Sequence, residues 1–280
     1  MNKALAIFEL MRLDKPIGIY LLLWPALLAL VISTNGDFEY ADLLIVIAGS
    51  ILVRSAGCVI NDIWDKDLDG GVERTKTRPI PSKKLSTSES WTVFAILGVL
   101  SLMLLSLTNT NTIYVSICFG LMIVIYPLTK RFFIGPQIFL GLTFNPTIIV
   151  YAMTNELNNP TMIFLYFAIA AKTIAFDSFY GLCDIDDDKK LGINSTPLWW
   201  GSKTLLIIAI LQFTVIGLLL IVGLKAGLSF AWYIGIILLS GFYFYQHKLA
   251  SQKNFLLAFK NNHWASLYLL MLSGFCFLII

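Results

Sequence analysis

Charge is scarce in this sequence. Only 13% of its 280 residues are Asp, Glu, Lys or Arg, against roughly 25% in an ordinary soluble domain. Cysteine is scarce too: Cys58, Cys118, Cys183 and Cys276 stand at no metal-ligand spacing, so neither a thiolate metal cage nor a disulfide framework is expected. No basic stretch interleaves with aromatic residues in a polar context, so nucleic acid is not an expected partner. No small-residue cleavage site closes a short apolar segment near the N-terminus, and the first apolar run is expected to be retained. Cys276 lies too far from the C-terminus for a prenylation box. Strict alternation of polar and apolar residues, the mark of a membrane barrel, is also missing.

What is present is apolar surface. Hydrophobic residues make up 58% of the chain and the mean hydropathy is +0.79. A domain of this size has too little interior to hide that surface from water, so lipid must be its solvent. Nine runs approach the ~20 residues that a bilayer crossing needs. They lie near 17–33, 43–60, 91–107, 112–128, 136–153, 161–178, 204–223, 229–246 and 264–280. Backbone in lipid must satisfy its own hydrogen bonds, so these runs are read as helices. The prediction is an all-α membrane protein, residues 1–280 forming a single integral-membrane domain.

Charge then orients it. Of 20 lysines and arginines, Arg54 and Lys172 lie within runs and Lys225 alone falls on one side; the rest fall on the other. The positive-inside rule puts the cation-rich side in the cytoplasm, with the N-terminus inside and the C-terminus outside. The long connections are cytoplasmic as well, and long loops carry function more often than tight ones.

Two acidic clusters close two of the runs on that side. The first is Asn61-Asp62-Ile63-Trp64-Asp65-Lys66-Asp67-Leu68-Asp69. At about 100° per residue, Asp62, Asp65 and Asp69 share a helix face while Asp67 points away. The second is Asp184-Ile185-Asp186-Asp187-Asp188, in which Asp184 and Asp188 share a face, Asp187 flanks it and Asp186 points away. Tyr180 and Asp177 extend that stripe upstream. Crowded carboxylates repel, and hard divalent cations relieve the repulsion through oxygen ligands. Mg²⁺ in particular takes few carboxylates and completes its shell with water and substrate phosphates. Two such stripes suit a diphosphate held between metal ions. Arg74, Arg78 and Lys189, just downstream of the clusters, bring cations that pair with phosphate oxygens. Each half thus reads as run, acidic stripe, basic and hydroxyl residues, then proline, a weak internal repeat. His247 and His263 fall in the last cytoplasmic connection and are read as interfacial.

At these residues the chain resembles the UbiA family of intramembrane aromatic prenyltransferases. Asn61, Asp62, Asp65 and Asp69 match its Asn-Asp-x-x-Asp-x-x-x-Asp motif, and Asp184 and Asp188 its Asp-x-x-x-Asp motif. Further matches run from Met11 to Gly18, Arg54 to Asn61, Arg74 to Ser82, Tyr126 to Arg131 and Gly141 to Asn145. The segments Arg12-Leu13-Asp14-Lys15-Pro16-Ile17-Gly18 and Arg78-Pro79-Ile80-Pro81-Ser82 resemble the 4-hydroxybenzoate polyprenyltransferases of ubiquinone synthesis.

The resemblance implies about nine transmembrane helices in one bundle around a central cavity. It implies Mg²⁺-dependent transfer of a polyprenyl group to 4-hydroxybenzoate, in a bacterial inner membrane, with no protein partner required. Asp65, Asp69, Asp184 and Asp188 are the expected catalytic carboxylates. Asn61, Asp62, Asp65, Asp69, Asp184, Asp187 and Asp188 are the expected metal set. Arg74, Arg78, Lys130 and Lys189 would bind the diphosphate, and the 61–90 loop would close over it. The acceptor is an anion and calls for an intramembrane cation. Arg54 is the first candidate, since a charge inside a run is costly, and Arg12 and Arg131 are further ones. Tyr126, Tyr180, Asp177 and Asn145 are placed in the cavity, the tyrosines as cation–π partners for an allylic cation. Phe179, Gly181 and Pro146 depart from the family's more usual residues beside the expected acceptor site. Naphthoate, homogentisate or haem as acceptor stays open at this point. A transporter is disfavoured because the acids sit at one mouth and no paired broken helices are visible.

Overall fold

The computed structural model describes residues 3–72 and 74–279 of the protein. They form fourteen α-helices, and no strand occurs among the described residues. In chain order these are α1 (Lys3–Leu10), α2 (Ile17–Ser33), α3 (Tyr40–Trp64), α4 (Lys66–Asp69), α5 (Thr87–Leu105), α6 (Thr110–Thr129) and α7 (Pro136–Thr143). There follow α8 (Thr147–Met153), α9 (Thr161–Gly181), α10 (Ile185–Leu191), α11 (Thr196–Trp200), α12 (Thr204–Lys225), α13 (Phe230–Ser251) and α14 (Phe255–Leu278). By length and apolar character, α3, α5, α6, α9 and the α11–α12 segment can each cross a membrane. The apolar α2 is somewhat shorter.

All nine apolar runs are helical, and eight of them are carried by one long helix each. The exception is 136–153, expected as one span and found as α7 and α8. The chain breaks at Phe144-Asn145-Pro146, where Pro146 has no N–H to continue the ladder. Asn145 repairs the break. Its amide donates to the Tyr166 carbonyl at 2.8 Å and its side-chain oxygen accepts from the Thr147 N–H at 3.2 Å. The Tyr166 hydroxyl donates to the Leu142 carbonyl at 2.9 Å. Freed backbone groups inside a bundle are thereby satisfied by a neighbouring helix. A second correction concerns the last cytoplasmic connection: α13 runs to Ser251 and α14 starts at Phe255. His247 and His263 therefore lie inside helices.

The helix α9 is the hub. It packs along α12, α7 and α14, and most of its residues are buried. Gly141 permits the close approach of α7, since a Cβ there would lie 2.5 Å from Ile174 Cγ1 and 2.8 Å from the Ala170 carbonyl. In lipid there is little hydrophobic drive between helices, so van der Waals fit of this kind holds the bundle. By contrast α5 and α6 lie at the periphery, most of their surface unburied. A capping box starts α5: Ser86 Oγ accepts from the Glu89 N–H at 3.2 Å and Glu89 accepts from the Ser86 N–H at 2.8 Å. All four cysteines are free, Cys58 and Cys276 buried, Cys118 and Cys183 exposed.

Between α4 and α5 the described residues make a run of turns and no helix. Val72, Ile80 and Leu85 are buried beneath it, and Ile80 and Leu85 join a core with Ala6, Leu10, Val59 and Val93. The Thr75 hydroxyl donates to the Asp69 carbonyl at 2.8 Å. This loop is therefore fastened across one end of the bundle.

Candidate active site

The bundle encloses a cavity of about 1400 Å³. One end is acidic and basic together. Asn61 and Asp62 come from the last turn of α3, and Asp69 ends α4. Asp65 is the junction residue between the two helices. Asp184 caps α10, which also carries Asp188. The acidic segments therefore do not ride on continuous helices, as helical phase alone assumed. Each is broken by a turn, and the cavity still receives all six side chains.

Cations stand among these acids. Arg12, held at φ 58°, donates through Nη2 to both oxygens of Asp62 at 2.8 Å. Arg78 bridges Asp62 at 3.1 Å and Asp69 at 2.7 Å. Lys130, at the end of α6, pairs with Asp65. Arg74 reaches Asp184 through Nε at 2.9 Å and Nη2 at 2.6 Å, and its guanidinium lies 4.5 Å over the Tyr180 ring. Asp62 and Asp65 are 1% exposed, so these pairs are shielded from water. No three acidic side chains meet at one point among the described residues. One buried oxygen, Asp65 Oδ1, has no hydrogen-bond partner. Burial raises the Asp65 carboxyl above the usual range although Lys130 opposes this. Asp188 is pushed up to about 6, by burial first and by the negative charge of Asp184 second.

Deeper in the cavity stand Arg54, Tyr126, Asn145, Asp177 and Tyr180. Arg54 lies 5.2 Å over the Phe144 ring, and its buried Nε has no partner. Gly18 makes room for it: a Cβ there would lie 2.4 Å from Arg54 Nε. The remaining wall is apolar and runs along α3, α5 and α6 through Val53, Gly57, Gly98 and Gly120 as far as Leu105, Thr108 and Thr112. The cavity thus has a charged mouth at one end and an oily furrow leading away from it.

Three expected site residues lie elsewhere. Arg131 is exposed, outside the cavity lining, and donates to the Trp64 carbonyl at 2.5 Å. Lys189 is exposed on α10, and the half-buried Asp187 pairs with Lys190 at 3.6 Å; neither lines the cavity. Asp67 and Asp186 are exposed. Lys172, within α9, is buried with its Nζ donating to the Ser266 hydroxyl.

Sequence reasoning missed one wall. His263 of α14 lines the cavity beside Tyr20 of α2, and the Trp24 indole N–H donates to His263 Nδ1 at 2.8 Å. Phe259, one turn earlier on α14, lies 4.8 Å from the Tyr180 ring. The signal was the helical spacing of Phe255, Phe259, His263 and Ser266, obscured by the polar run Lys260-Asn261-Asn262.

Comparison with known proteins fits this geometry. Two curated relatives carry the name 4-hydroxybenzoate octaprenyltransferase. One, from Stutzerimonas stutzeri, is 40% identical over 94% of this chain and 90% of its own. The other, from Vibrio campbellii, is 39% identical over 96% of each. Among solved structures, the apo form of a UbiA homolog from Aeropyrum pernix K1 superposes with a TM-score of 0.79 at 22% identity, covering 90% of this chain and 94% of that one. A UbiA homolog from Archaeoglobus fulgidus, solved bound to GPP and Mg²⁺, superposes with a TM-score of 0.75 at 17% identity, covering 98% of this chain and all of that one. The model of the UbiA prenyltransferase family matches residues 22–277. A charged mouth, an oily furrow and this likeness across nearly the whole length lead to one conclusion: the chain belongs to the UbiA prenyltransferase family.

Proposed function

We propose that this protein transfers a polyprenyl group from its diphosphate to the ring of 4-hydroxybenzoate, in one membrane domain, with Mg²⁺ as cofactor. The observation that carries the reading is the continuity of the charged mouth with the apolar furrow. A diphosphate with a long hydrocarbon tail has this same division. The excess of lysine and arginine in the connections supports a cytoplasmic mouth, with the N-terminus inside and the C-terminus outside.

The residues present fit a hard divalent cation. Their donors are oxygen, Asp65 Oδ1 is buried and unspent, and Asp184 and Asp188 face the same cavity. Asn61, Asp62, Asp65, Asp69, Asp184 and Asp188 are the proposed holders. When bound, Mg²⁺ neutralises diphosphate charge and makes it a better leaving group.

The chain's own groups do the rest. Arg74, Arg78 and Lys130 take up negative charge as the allylic C–O bond breaks. The Tyr126 and Tyr180 rings face the carbon that turns positive. The acceptor attacks through the carbon ortho to its hydroxyl; a C–C bond forms, and the ring then gives up its proton. Arg54, whose guanidinium lines the cavity and makes no ion pair among the described residues, is the proposed partner of the acceptor carboxylate, whereas Arg12 is already engaged by Asp62. The fastened 70–86 loop keeps bulk water from the cation.

The test is a transfer assay on membranes holding the protein, with geranyl or octaprenyl diphosphate, labelled 4-hydroxybenzoate and Mg²⁺. The expected product is the prenylated acid, abolished by chelation. Folded protein that forms no product with either donor would refute the assignment.

A further inference from the structure

Several hydrogen-bond donors line this cavity without a partner among the described residues, and two of them contact α2. One is the Arg54 guanidinium. The other is His263, and its neighbours determine which nitrogen is the donor. An indole N–H can only donate, so His263 Nδ1 must accept from Trp24. The neutral imidazole then carries its proton on Nε2. Protonating the ring would set two N–H groups against each other, so the contact holds the imidazole neutral. Nε2 has no hydrogen-bond partner among the described residues.

The ring is also firmly placed. Tyr20 stacks on Trp24 with centroids 5.5 Å apart and planes 8° apart. His263 lies against both, 4.9 Å from Tyr20 and 5.8 Å from Trp24. Helix α2 sets the spacing between the two free donors. Its Gly18 abuts the Arg54 guanidinium, and its Tyr20 and Trp24 hold His263. At 1.5 Å per residue, Gly18 and Trp24 stand about 9 Å apart along the helix. A para-substituted benzene with a hydrogen bond of ~2.8 Å at each end joins donors roughly 10–12 Å apart. The charged donor suits a carboxylate and the neutral one suits a hydroxyl.

We propose that His263 Nε2–H donates a hydrogen bond to the hydroxyl oxygen of the aromatic acceptor, with Trp24 as the positioning residue that fixes the imidazole tautomer. This rests on the transfer reaction proposed above and adds a residue that the acidic motifs do not include. Anchoring both ends of the ring orients the carbon beside the hydroxyl toward the allylic carbon.

The experiment is steady-state transfer with 4-hydroxybenzoate and geranyl diphosphate varied in turn, and with benzoate, which lacks the hydroxyl, as inhibitor. His263→Phe should raise the KM for 4-hydroxybenzoate about five- to ten-fold, the value of one neutral hydrogen bond. The KM for geranyl diphosphate and the inhibition constant of benzoate should stay unchanged. His263→Gln, which restores a side-chain N–H, should recover most of the loss, and Trp24→Phe should cost about two- to three-fold. An unchanged acceptor KM in His263→Phe overturns the proposal, as does an equal rise in the benzoate constant. If His263→Phe does not fold, Trp24→Phe decides alone: no acceptor-specific rise overturns it. Failure of the unmodified protein to prenylate the acid would instead refute the parent reading, and this one with it.

Discussion

The two acidic segments carry the same residue type at the same end of the bundle, yet the protein treats them differently. Asp62, Asp65 and Asp69 are buried, and Arg12, Arg78 and Lys130 already neutralise them. Asp184 and Asp188 are more open, and among the ion pairs a single arginine, Arg74, reaches Asp184 from the opposite loop. The first segment is a preformed, water-shielded ion network. The second is a rim whose charge is still to be balanced. Neutralisation by side chains keeps the first from repelling itself when no ligand is bound.

Substitutions can break that contrast. The largest effect is expected on the reaction: Asp65→Asn and Asp184→Asn should each lower kcat by about 10²- to 10³-fold in the transfer assay. Equal loss on the two sides would show that the segments act as one unit despite their different burial. Next comes stability. Arg78→Ala strands the buried Asp69 carboxylate and leaves Asp62 to Arg12 alone, and should cost about 3–5 kcal/mol, whereas Arg74→Ala, at a site 35% exposed, should cost about 1 kcal/mol or less. Thermal unfolding in detergent separates the two.

A smaller effect concerns pH. Asp188 binds its proton in the fold up to about 6, from an ordinary value of 3.8. The folded state therefore holds more protons than the unfolded one between these values, and stability falls as pH rises through that window. With divalent cations chelated, the melting temperature should drop between pH 4 and 6, and Asp188→Asn should flatten the drop. The smallest effect belongs to Asp67→Asn and Asp186→Asn, which sit exposed. Transfer rates within about a factor of two of the parent, and stability within about 0.5 kcal/mol, are expected.

Much of this was legible in the residues. Uninterrupted apolar runs announced the spans, and the acids that face the cavity stand at helical spacing with the exposed Asp67 and Asp186 out of phase. What was hidden is nonlocal or masked by composition. The union of Arg12 with Asp62 joins residues 50 apart in the chain, and no pattern within either segment signals it. Arg131 looked like a carboxylate partner, but the turn after α6 spends it on the Trp64 carbonyl. His263 looked interfacial because Lys260, Asn261 and Asn262 precede it, yet α14 carries that polar run along its side. The break at Phe144-Asn145-Pro146 lay inside an apolar run, where hydropathy is blind to a proline.

That break has a bearing on how the protein is made. Neither α7, with 8 residues, nor α8, with 7, spans a bilayer alone. Their junction leans on the Tyr166 carbonyl of α9, a helix that follows both of them in the chain. The pair therefore has its backbone fully satisfied only once α9 is packed against it. Biogenesis of this chain is in that respect an assembly of pieces rather than a series of single crossings.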